Sequence, residues 1–337
     1  MALKLEVSGS LAQPESAWKR RLTIHLMLAI FGIAGALARI GLDRLTSFPG
    51  SQYGGVLWSN FTGTLIMGML VGCETFCGLV GTHSHLTKAQ IPLYIGLTTG
   101  LCGSITSFSS FMISLFEFSA NQPPGSVDYP NPGYGVMVFL SYLFVTLCVS
   151  FGGFYVGGHL SGVLDRVSFK KIEESLVVTL SVLTVSGYIV ILVTCIVISR
   201  GRYWSFSCLF APFGVYFRYW ISKLLNPLSH RFMFGTFLVN MLATILISFL
   251  VIFQRGENSS KLLVPGLIHC QLVTALQDGF CGNFSTVSTF IAELNSYIRH
   301  RDAYLYGGIS IGCGFSLVVV ILGTYTWTKG LSNVTAC

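Results

Sequence analysis

Two pairs of strongly polar side chains recur inside apolar stretches of this chain. Arg39 is followed by Asn60 after 21 residues, and Arg218 is followed by Asn240 after 22 residues. An asparagine amide at mid-span offers two N–H donors, and an arginine is costly in lipid, so by default it marks a functional site. Two structural alternatives stay open: asparagine amides also bond neighbouring helices together, and arginines also extend to the membrane surface.

Hydroxyl groups follow the same two-part pattern. The spacing Tyr-x-x-x-(Ser/Thr) occurs once in each half of the chain. A row of hydroxyls can replace water around a small, strongly hydrated anion, whereas a single serine or threonine often bonds back to its own helix. The hydroxyl residues of this predicted polar track are Tyr142, Thr146, Tyr306, Ser310, Thr106 and Ser285.

Glycines and hydroxyls interrupt two apolar stretches in the same way. The sequences are GLTTGLCGSITSFSSF at 96–111 and ALQDGFCGNFSTVSTF at 275–290. Glycine tolerates unusual backbone conformations, so we expect a broken helix at each stretch, with the freed carbonyls satisfied by protein, water or an ion. Two breaks that meet would offer carbonyl oxygens to a small cation such as Na⁺. Close helix packing is the structural alternative for these glycines, which are Gly100, Gly103, Gly279 and Gly282.

Phenylalanines lie beside both interruptions, at Phe108, Phe111 and Phe290. The edge of an aromatic ring carries partial positive charge, so rings along a narrow path can bind an anion while giving nothing to a cation. Most phenylalanines of membrane proteins simply face lipid or the core. Asp278 departs from the pattern, because an acid repels an anion; it points away, pairs with a cation or marks an unused half.

The composition predicts an all-α integral membrane protein. Only 10% of the 337 residues are charged and 52% are hydrophobic, whereas soluble domains have roughly a quarter charged residues and membrane β-barrels alternate polar with apolar positions. The polar N-terminus does not resemble a cleaved signal peptide. The ten cysteines form no CxxC pair, so we interpret them as apolar fillers. Basic residues beside the apolar stretches indicate membrane orientation and no nucleic acid.

Nine apolar stretches have the roughly 20 residues that a membrane-spanning helix needs. They are 22–45, 54–80, 90–118, 134–160, 176–199, 204–225, 232–253, 262–295 and 303–327. We predict an N-terminal tail, a first four-span repeat, a linker with the fifth span, a second four-span repeat and a C-terminal tail. Their bounds are 1–21, 22–160, 161–203, 204–327 and 328–337.

The two repeats are predicted to be inverted. An arginine, an asparagine, a glycine–hydroxyl stretch and a tyrosine–hydroxyl pair occur in the same order in both halves. Four spans return the chain to its starting side, and the single linker helix then begins the second repeat from the other side. Transport proteins use this arrangement to hold ions near the membrane midplane on broken helices.

The distribution of basic residues predicts a cytoplasmic N-terminus and an extracellular C-terminus. In this orientation 12 lysines and arginines lie inside and 6 lie outside, as the positive-inside rule requires. The glycosylation sequons at Asn258 and Asn333 also fall outside.

The motifs resemble those of the fluoride channel family, called CrcB or Fluc in bacteria and FEX in eukaryotes. The family pattern is G-x-x-x-R in the first span, an asparagine in the second, and G-F-x-G-G-x-T-T-F-S-T-F in the third. Both GLCGSITSFSSF and GFCGNFSTVSTF are similar to the third-span motif. The likeness covers about residues 25 to 327. The nine-span layout resembles the FEX branch, in which one chain looks like two bacterial subunits fused through an added helix.

This resemblance implies two fluoride paths, a central structural Na⁺ and function as a single chain in membrane lipid. The residues assigned to the paths are Asn60, Asn240, Phe108, Phe290, Phe111, Tyr142, Thr146, Tyr306 and Ser310, together with Ser109, Ser288, Arg39 and Arg218 of the same motifs. The implied sodium ligands are the backbone carbonyls of Gly103, Thr106, Gly282 and Ser285.

The second half departs from the family motif at Val287, where the first half has Phe108. In the family, each path takes its two phenylalanines from opposite subunits. One path would then combine Phe108 with Phe290, and the other would combine Phe111 with Val287. We predict that the first conducts and that the second is degenerate. Glu293, which has no acidic counterpart in the first half, supports this asymmetry without indicating its path.

The predicted activity is passive, fluoride-selective export through the plasma membrane, and no enzymatic activity is predicted. A negative cell interior drives anions outward by about 2.3 kcal/mol per charge per 100 mV, and the chain has no GxxxxGK[ST] motif for ATP. The alternative is a proton-coupled fluoride or anion exchanger, in which Asp278 and Glu293 carry protons. His159 and His269 are isolated, so they do not indicate a catalytic site.

Overall fold

The computed structural model describes residues 17–46, 48, 53–74, 88–122, 128–166, 169–199, 201–258, 261–333 and 335–337, and it is almost entirely helical. The first half contains α1 (Ala17–Thr46), α2 (Gly54–Gly72), α3 (Pro92–Ile95), α4 (Gly103–Ile105), α5 (Phe108–Ser119) and α6 (Pro132–Asp165). The linker helix is α7 (Phe169–Val197). The second half contains α8 (Arg202–Leu225), α9 (Phe234–Arg255), α10 (Leu267–Ala275), α11 (Gly282–Phe284), α12 (Ser288–Ser296), α13 (His300–Val318) and α14 (Thr324–Lys329).

Short irregular elements complete the described fold. π-Helical turns at Gly96–Cys102 and Leu276–Cys281 lead into α4 and α11, and a third at Val319–Gly323 joins α13 to α14. The strands β1 (Glu257–Asn258) and β2 (Lys261–Leu262) form a small antiparallel hairpin.

Seven helical segments of the described residues are long and apolar enough to cross a membrane. They are Trp18–Thr46, Gly54–Gly72, Pro92–Ser119, Pro132–Asp165, Val177–Val197, Phe234–Arg255 and His300–Lys329. The prediction of an all-α, multi-pass membrane protein is confirmed. The two other predicted spans correspond to α8 and to the segment α10–α12, both of which carry charged residues well inside the segment, such as Arg218 and Asp278.

The expected helix breaks occur, but not at the glycines. Thr106 and Ser107 have extended backbone, with ψ of 149° and 117°, and Ser285 is extended, with ψ of 166°. Gly103 and Gly282 are themselves helical. The breaks therefore lie within both predicted stretches, at hydroxyl residues and not at the glycines to which the prediction assigned them.

Several predicted boundaries also differ from the observed helices. Helix α1 begins at Ala17, before the predicted start at 22. Helix α2 ends at Gly72, and positions 75–80 of the predicted second span lie outside the described residues. The linker helix begins at Phe169, before the predicted start of the fifth span at 176, because the lysines and glutamates that precede the span are good helix formers.

Helices α2 and α6 pack closely through small residues. A Cβ atom added at Gly68 would overlap the carbonyl oxygen of Phe154, and one at Gly157 would overlap that of Leu65. Small residues allow this approach in membranes, where helix association depends on van der Waals packing. The linker helix α7 instead leaves many apolar side chains exposed, for example Ile196 at 78%, as expected of a helix that faces lipid.

A disulfide bond joins Cys270 of α10 to Cys337. The C-terminal segment folds back beside α9, where the Ser332 amide donates to the Arg255 carbonyl at 2.8 Å. The interpretation of all cysteines as apolar fillers is therefore wrong for this pair. The two cysteines are 67 residues apart and form no motif, so only the folded tail brings them together.

The packing of α2 on α6 predicts different effects for two adjacent glycines. Gly157→Ala should destabilise the protein by about 1–3 kcal/mol, since the added methyl group forces the helices apart. Gly158→Ala is the matched control, because a Cβ there meets nothing within 4 Å. Thermal unfolding of both variants in lipid nanodiscs measures the difference. Equal midpoint temperatures for the two variants would contradict this account of the interface.

Candidate functional site

The two broken segments meet at the centre of the protein, and each caps the other. The Thr106 hydroxyl oxygen accepts hydrogen bonds from the amides of Ser288 at 3.0 Å and Val287 at 3.2 Å. Reciprocally, the Ser285 hydroxyl oxygen accepts a hydrogen bond from the Ser109 amide at 3.1 Å. The amides of Val287, Ser288 and Ser109 are thus satisfied by the opposite half.

The asparagines of α2 and α9 hold the chain at these breaks. The Asn60 Oδ1 accepts from the Ser107 amide at 3.0 Å, and the Asn240 Oδ1 accepts from the Thr286 amide at 2.9 Å. The two amide nitrogens differ. Asn240 Nδ2 donates to the Thr286 carbonyl at 3.2 Å, whereas Asn60 Nδ2 is buried without a hydrogen-bond partner in the described structure.

The buried hydroxyls of Thr146 and Ser310 also have no partner among the described residues. Each lies four residues after a tyrosine on the same helix face. The tyrosines are engaged: Tyr142 donates to the Tyr53 carbonyl at 3.2 Å, and Tyr306 donates to a carboxylate at 2.8 Å. Within the predicted track, the tyrosines and the hydroxyls of Thr106 and Ser285 are therefore engaged, whereas those of Thr146 and Ser310 are free.

The motif serines belong to the crossing of the two halves. The Ser109 and Ser285 hydroxyls lie 2.9 Å apart, and the Thr106 hydroxyl donates to the Ser288 hydroxyl at 3.1 Å. Their polar atoms are therefore used between the broken segments.

The aromatic rings form one fully built row and one incomplete row. Phe108 contacts Phe290 edge-to-face, with centroids 5.7 Å apart and an interplanar angle of 73°, and Phe290 contacts Tyr306 at 5.3 Å. In the other half, Phe111 stacks on Tyr142 at 6.1 Å, but Val287 takes the position that corresponds to Phe108. All five rings named here are at most 1% exposed, so none of them faces lipid.

Arg39 lies inside the protein with 5% exposure, which excludes extension to the membrane surface. Its Nε donates to the Ser104 carbonyl at 3.0 Å, and its Nη2 donates to the Asn283 Oδ1 at 3.2 Å and to the Asp278 carbonyl. The Asp278 carboxylate lies 3.6 Å from Nη1. Of the three possibilities for Asp278, the structure therefore supports pairing with a cation.

Arg218 is also buried, with 2% exposure. Its Nη1 donates to the carbonyls of Gly103 at 2.6 Å and Ser285 at 2.8 Å, and its Nη2 donates to the Thr99 carbonyl at 2.5 Å. The guanidinium therefore binds backbone oxygens from both halves of the chain.

This placement affects the expected sodium site. Two of the four implied carbonyl ligands, those of Gly103 and Ser285, already accept hydrogen bonds from Arg218. A sodium ion at these oxygens would lie beside a buried guanidinium, and two neighbouring cations repel strongly where water is excluded. The residues present therefore do not fit a sodium ion held by all four carbonyls.

The arginines also explain the motif glycines. A Cβ at Gly103 would lie 2.5 Å from Arg218 Nη2, and one at Gly282 would overlap the guanidinium of Arg39. Each arginine thus packs on a glycine of the opposite half. Close packing, the structural alternative left open for these glycines, accounts for both.

Two cavities flank the crossing, with volumes of about 340 and 280 Å³. Glu117, near the end of the segment Pro92–Ser119, lines the first, and Tyr94, near its start, lines the second, so the cavities lie toward opposite ends of that segment. Equivalent positions of the two halves line opposite cavities. Ser110, Ser114 and Asp278 line the first cavity, and their counterparts in the other half, Thr289, Glu293 and Thr99, line the second.

The hydrogen-bond partners of Asp278 and Glu293 could not be predicted from the sequence. The Glu293 carboxylate accepts hydrogen bonds from Asn226 at 3.0 Å, Thr236 at 2.6 Å and Tyr306 at 2.8 Å. The Tyr203 hydroxyl donates to Asp278 at 2.5 Å. These contacts join residues far apart in the chain and follow no repeated spacing.

A second buried ion pair was missed for the same reason. Arg255 lies 2.6 Å from the Glu117 carboxylate at the edge of the first cavity. The only sequence signal for this pair was that Glu117 and Arg255 each lie near the end of an apolar stretch, 90–118 and 232–253.

The chain is similar to proteins of one family over most of its length. The family described as "CrcB-like protein, Camphor Resistance (CrcB)" matches residues 26–158 and 205–324. Fluoride export protein 1 of Candida albicans is 39% identical over 311 residues, which cover 89% of this chain and 79% of that protein. Fluoride export protein 2 of Saccharomyces cerevisiae is 31% identical over 331 residues, covering 82% of this chain and 86% of that protein.

A prokaryotic relative matches only one part of the chain. The fluoride-specific ion channel FluC of Ignicoccus hospitalis is 36% identical over 115 residues, which cover 33% of this chain and 82% of FluC. No solved structure matches the chain significantly.

The contact between Arg218 and Gly103 predicts the effect of a single methyl group. Gly103→Ala should lower stability by about 1–3 kcal/mol, because the guanidinium is buried and held by three carbonyls, so it cannot move without losing hydrogen bonds. Gly308→Ala is the control, since a Cβ there meets nothing within 4 Å. Thermal unfolding of the purified variants compares them. Two equal midpoints would show that the guanidinium does not need this space.

Proposed function

This chain belongs to the CrcB-like family, and from that we propose that it is a passive, fluoride-selective channel that exports F⁻ from the cytosol down its electrochemical gradient. Such a channel makes the cell resistant to fluoride. The names of the similar proteins, fluoride export protein and fluoride-specific ion channel, support the choice of ion.

The observation that carries the proposal is a set of buried polar atoms without partners, Asn60 Nδ2 and the hydroxyls of Thr146 and Ser310. Nearly all buried polar atoms in proteins are hydrogen-bonded to protein or to ordered water, so these atoms are available to a small ligand or to a water molecule. An amide nitrogen can only donate, and the ligand that satisfies it must accept. A small anion meets this requirement, and a cation does not.

We propose that one of two paths conducts. The conducting path contains Phe108, Phe290, Tyr306 and Ser310. The edge-to-face contact of its two phenylalanines supports this assignment, since ring edges carry the positive part of the aromatic quadrupole. The other path contains Phe111, Tyr142 and Thr146. There Val287 presents no ring edge to an anion, so we expect this path to be degenerate.

The proposed layout is nine membrane spans in two inverted four-span repeats joined by α7. Three observations support it: the family matches two separate stretches of the chain, the two breaks cap each other reciprocally, and equivalent positions line cavities at opposite ends of one segment. Since both copies of the motif lie in one chain and interlock, we propose that a single chain suffices for transport.

The proposed location is the plasma membrane, with the N-terminus in the cytoplasm and the C-terminus outside. Disulfides persist in oxidising surroundings such as the cell exterior. The bond between Cys270 and Cys337 supports placing the C-terminus and the start of α10 on that side. The excess of basic residues in the opposite loops agrees with this orientation.

A proton-coupled exchanger is the second candidate, and its proton carriers would be Asp278 and Glu293. Both acids hold fixed contacts in the structure. Asp278 lies beside Arg39 and accepts from Tyr203, and three donors hold Glu293. The dependence of fluoride efflux on a pH gradient distinguishes this candidate from the channel.

Fluoride efflux from liposomes that contain the purified chain tests the activity, with chloride as the control ion. We expect fluoride efflux, a reversal potential that follows the fluoride gradient, and no dependence on a pH gradient. A reversal potential displaced by the pH gradient would favour the exchanger, and equal efflux of chloride would overturn the proposed selectivity.

Two phenylalanine variants test the path assignment. Phe290→Ile should reduce fluoride efflux by at least about tenfold, which corresponds to about 1.4 kcal/mol of barrier, because it removes a ring edge from the conducting path. Phe111→Ile is the matched control and should have a milder effect. Both variants should elute from size exclusion as the wild type does. Equal loss of efflux in the two folded variants would overturn the asymmetry.

Cysteine labelling of intact cells tests the orientation. A membrane-impermeant maleimide should label the chain after treatment with an impermeant reductant, because Cys270 and Cys337 become free thiols on the outside. The double variant Cys270→Ser/Cys337→Ser should lose this reductant-dependent signal. Labelling that appears only after the cells are permeabilised would place the C-terminus inside.

A further inference from the structure

The two buried arginines at the centre of the protein have unequal surroundings. Arg39 has the Asp278 carboxylate 3.6 Å away. No carboxylate of the described residues lies within ion-pair distance of Arg218, which binds the carbonyls of Gly103, Ser285 and Thr99 instead. The centre therefore holds one neutralised guanidinium and one cation surrounded by backbone oxygens.

The cause of this difference is the residue that precedes Gly100 in the first half and Gly279 in the second half. Arg218 bonds the Thr99 carbonyl, and Arg39 bonds the equivalent carbonyl of Asp278, so the two contacts match. The side chains then differ: Asp278 carries a carboxylate that faces Arg39 and accepts from Tyr203. Thr99 provides no charge, so Arg218 has no acidic partner there, and its Nη1 bonds the carbonyls of Gly103 and Ser285.

The contacts of Arg218 Nη1 resemble those of a bound metal cation. The nitrogen lies 2.6 Å from the Gly103 oxygen and 2.8 Å from the Ser285 oxygen, one from each half. Carbonyl oxygens are common ligands of hard cations. A buried cation without a carboxylate is costly unless such dipoles surround it, so this side chain and these oxygens stabilise each other.

We propose that the Arg218 guanidinium is itself the central cation of this chain, and that it supplies the positive charge and the bridge between halves expected of a sodium ion. The sodium ion would require the same two oxygens. The effect of Arg218 on the neighbouring fluoride path, a higher affinity for anions, rests on the proposed function. The effect of Arg218 on stability does not.

The first experiment measures thermal unfolding of the full-length wild-type protein in lipid nanodiscs, without fluoride, in sodium salts and in N-methylglucamine salts of equal ionic strength. We expect midpoint temperatures within about 1 °C of each other, because no sodium site contributes to folding. A saturable increase of more than about 2 °C with sodium would overturn the proposal, since a ligand that binds only the folded state raises its midpoint.

The second experiment uses Arg218→Gln. This variant should unfold at a lower temperature than the wild type, and sodium or guanidinium ions should restore part of the loss, because the carbonyls of Gly103 and Ser285 are then free. Arg255→Gln is the matched control: it removes another buried arginine, which pairs with Glu117 at 2.6 Å, and neither ion should restore its stability.

The remaining outcomes are also decisive. A loss in Arg218→Gln that neither ion restores would overturn the proposal, because a free cation could not then take the place of the guanidinium. If Arg218→Gln does not fold, the wild-type comparison in the two salts still decides. A wild-type protein that fails to transport fluoride would overturn the proposed function and leave these unfolding results unaffected.

Discussion

The fold depends on the way in which two broken membrane helices satisfy each other. A break in a lipid-embedded helix frees backbone amides and carbonyls that water does not reach. Here the hydroxyls of Thr106 and Ser285 accept amides of the opposite half, and Asn60 and Asn240 accept the amides next to them. Because each half supplies what the other lacks, the two halves must lie together, and the aromatic rings gather around their crossing.

The duplicated motif has been altered at a few positions, and these alterations carry the functional argument. Val287 replaces a ring, Asp278 replaces the uncharged Thr99, and Glu293 replaces Ser114. The scaffold tolerates all three, because the backbone contacts of the crossing do not use these side chains. The arginines, the rings and the cavity linings therefore differ between the halves, while the capping hydroxyls and asparagines retain their equivalent positions.

Much of the arrangement could be predicted from the sequence, since apolar length, repeated spacing and the glycine–hydroxyl stretches are local signals. The breaks were expected within the correct stretches, and the Phe108–Phe290 pairing followed from the family resemblance. Contacts between distant residues gave no such signal. The Cys270–Cys337 bond needs the folded tail, the donors around Glu293 come from three helices, and the carbonyls bound by Arg218 belong to backbone that any residue could supply. The glycines were assigned to the breaks because glycine permits unusual conformations, whereas Gly103 and Gly282 leave the space that the arginines require.

The most direct test of the central claim is a cryo-electron microscopy map of the chain in lipid nanodiscs, at a resolution that shows side chains. We predict that residues 103–109 and 282–288 cross in opposite directions, with the Thr106 hydroxyl at the Ser288 amide and the Ser285 hydroxyl at the Ser109 amide. A map in which both halves cross the bilayer in the same direction, or in which lipid or other helices separate the two segments, would contradict the account.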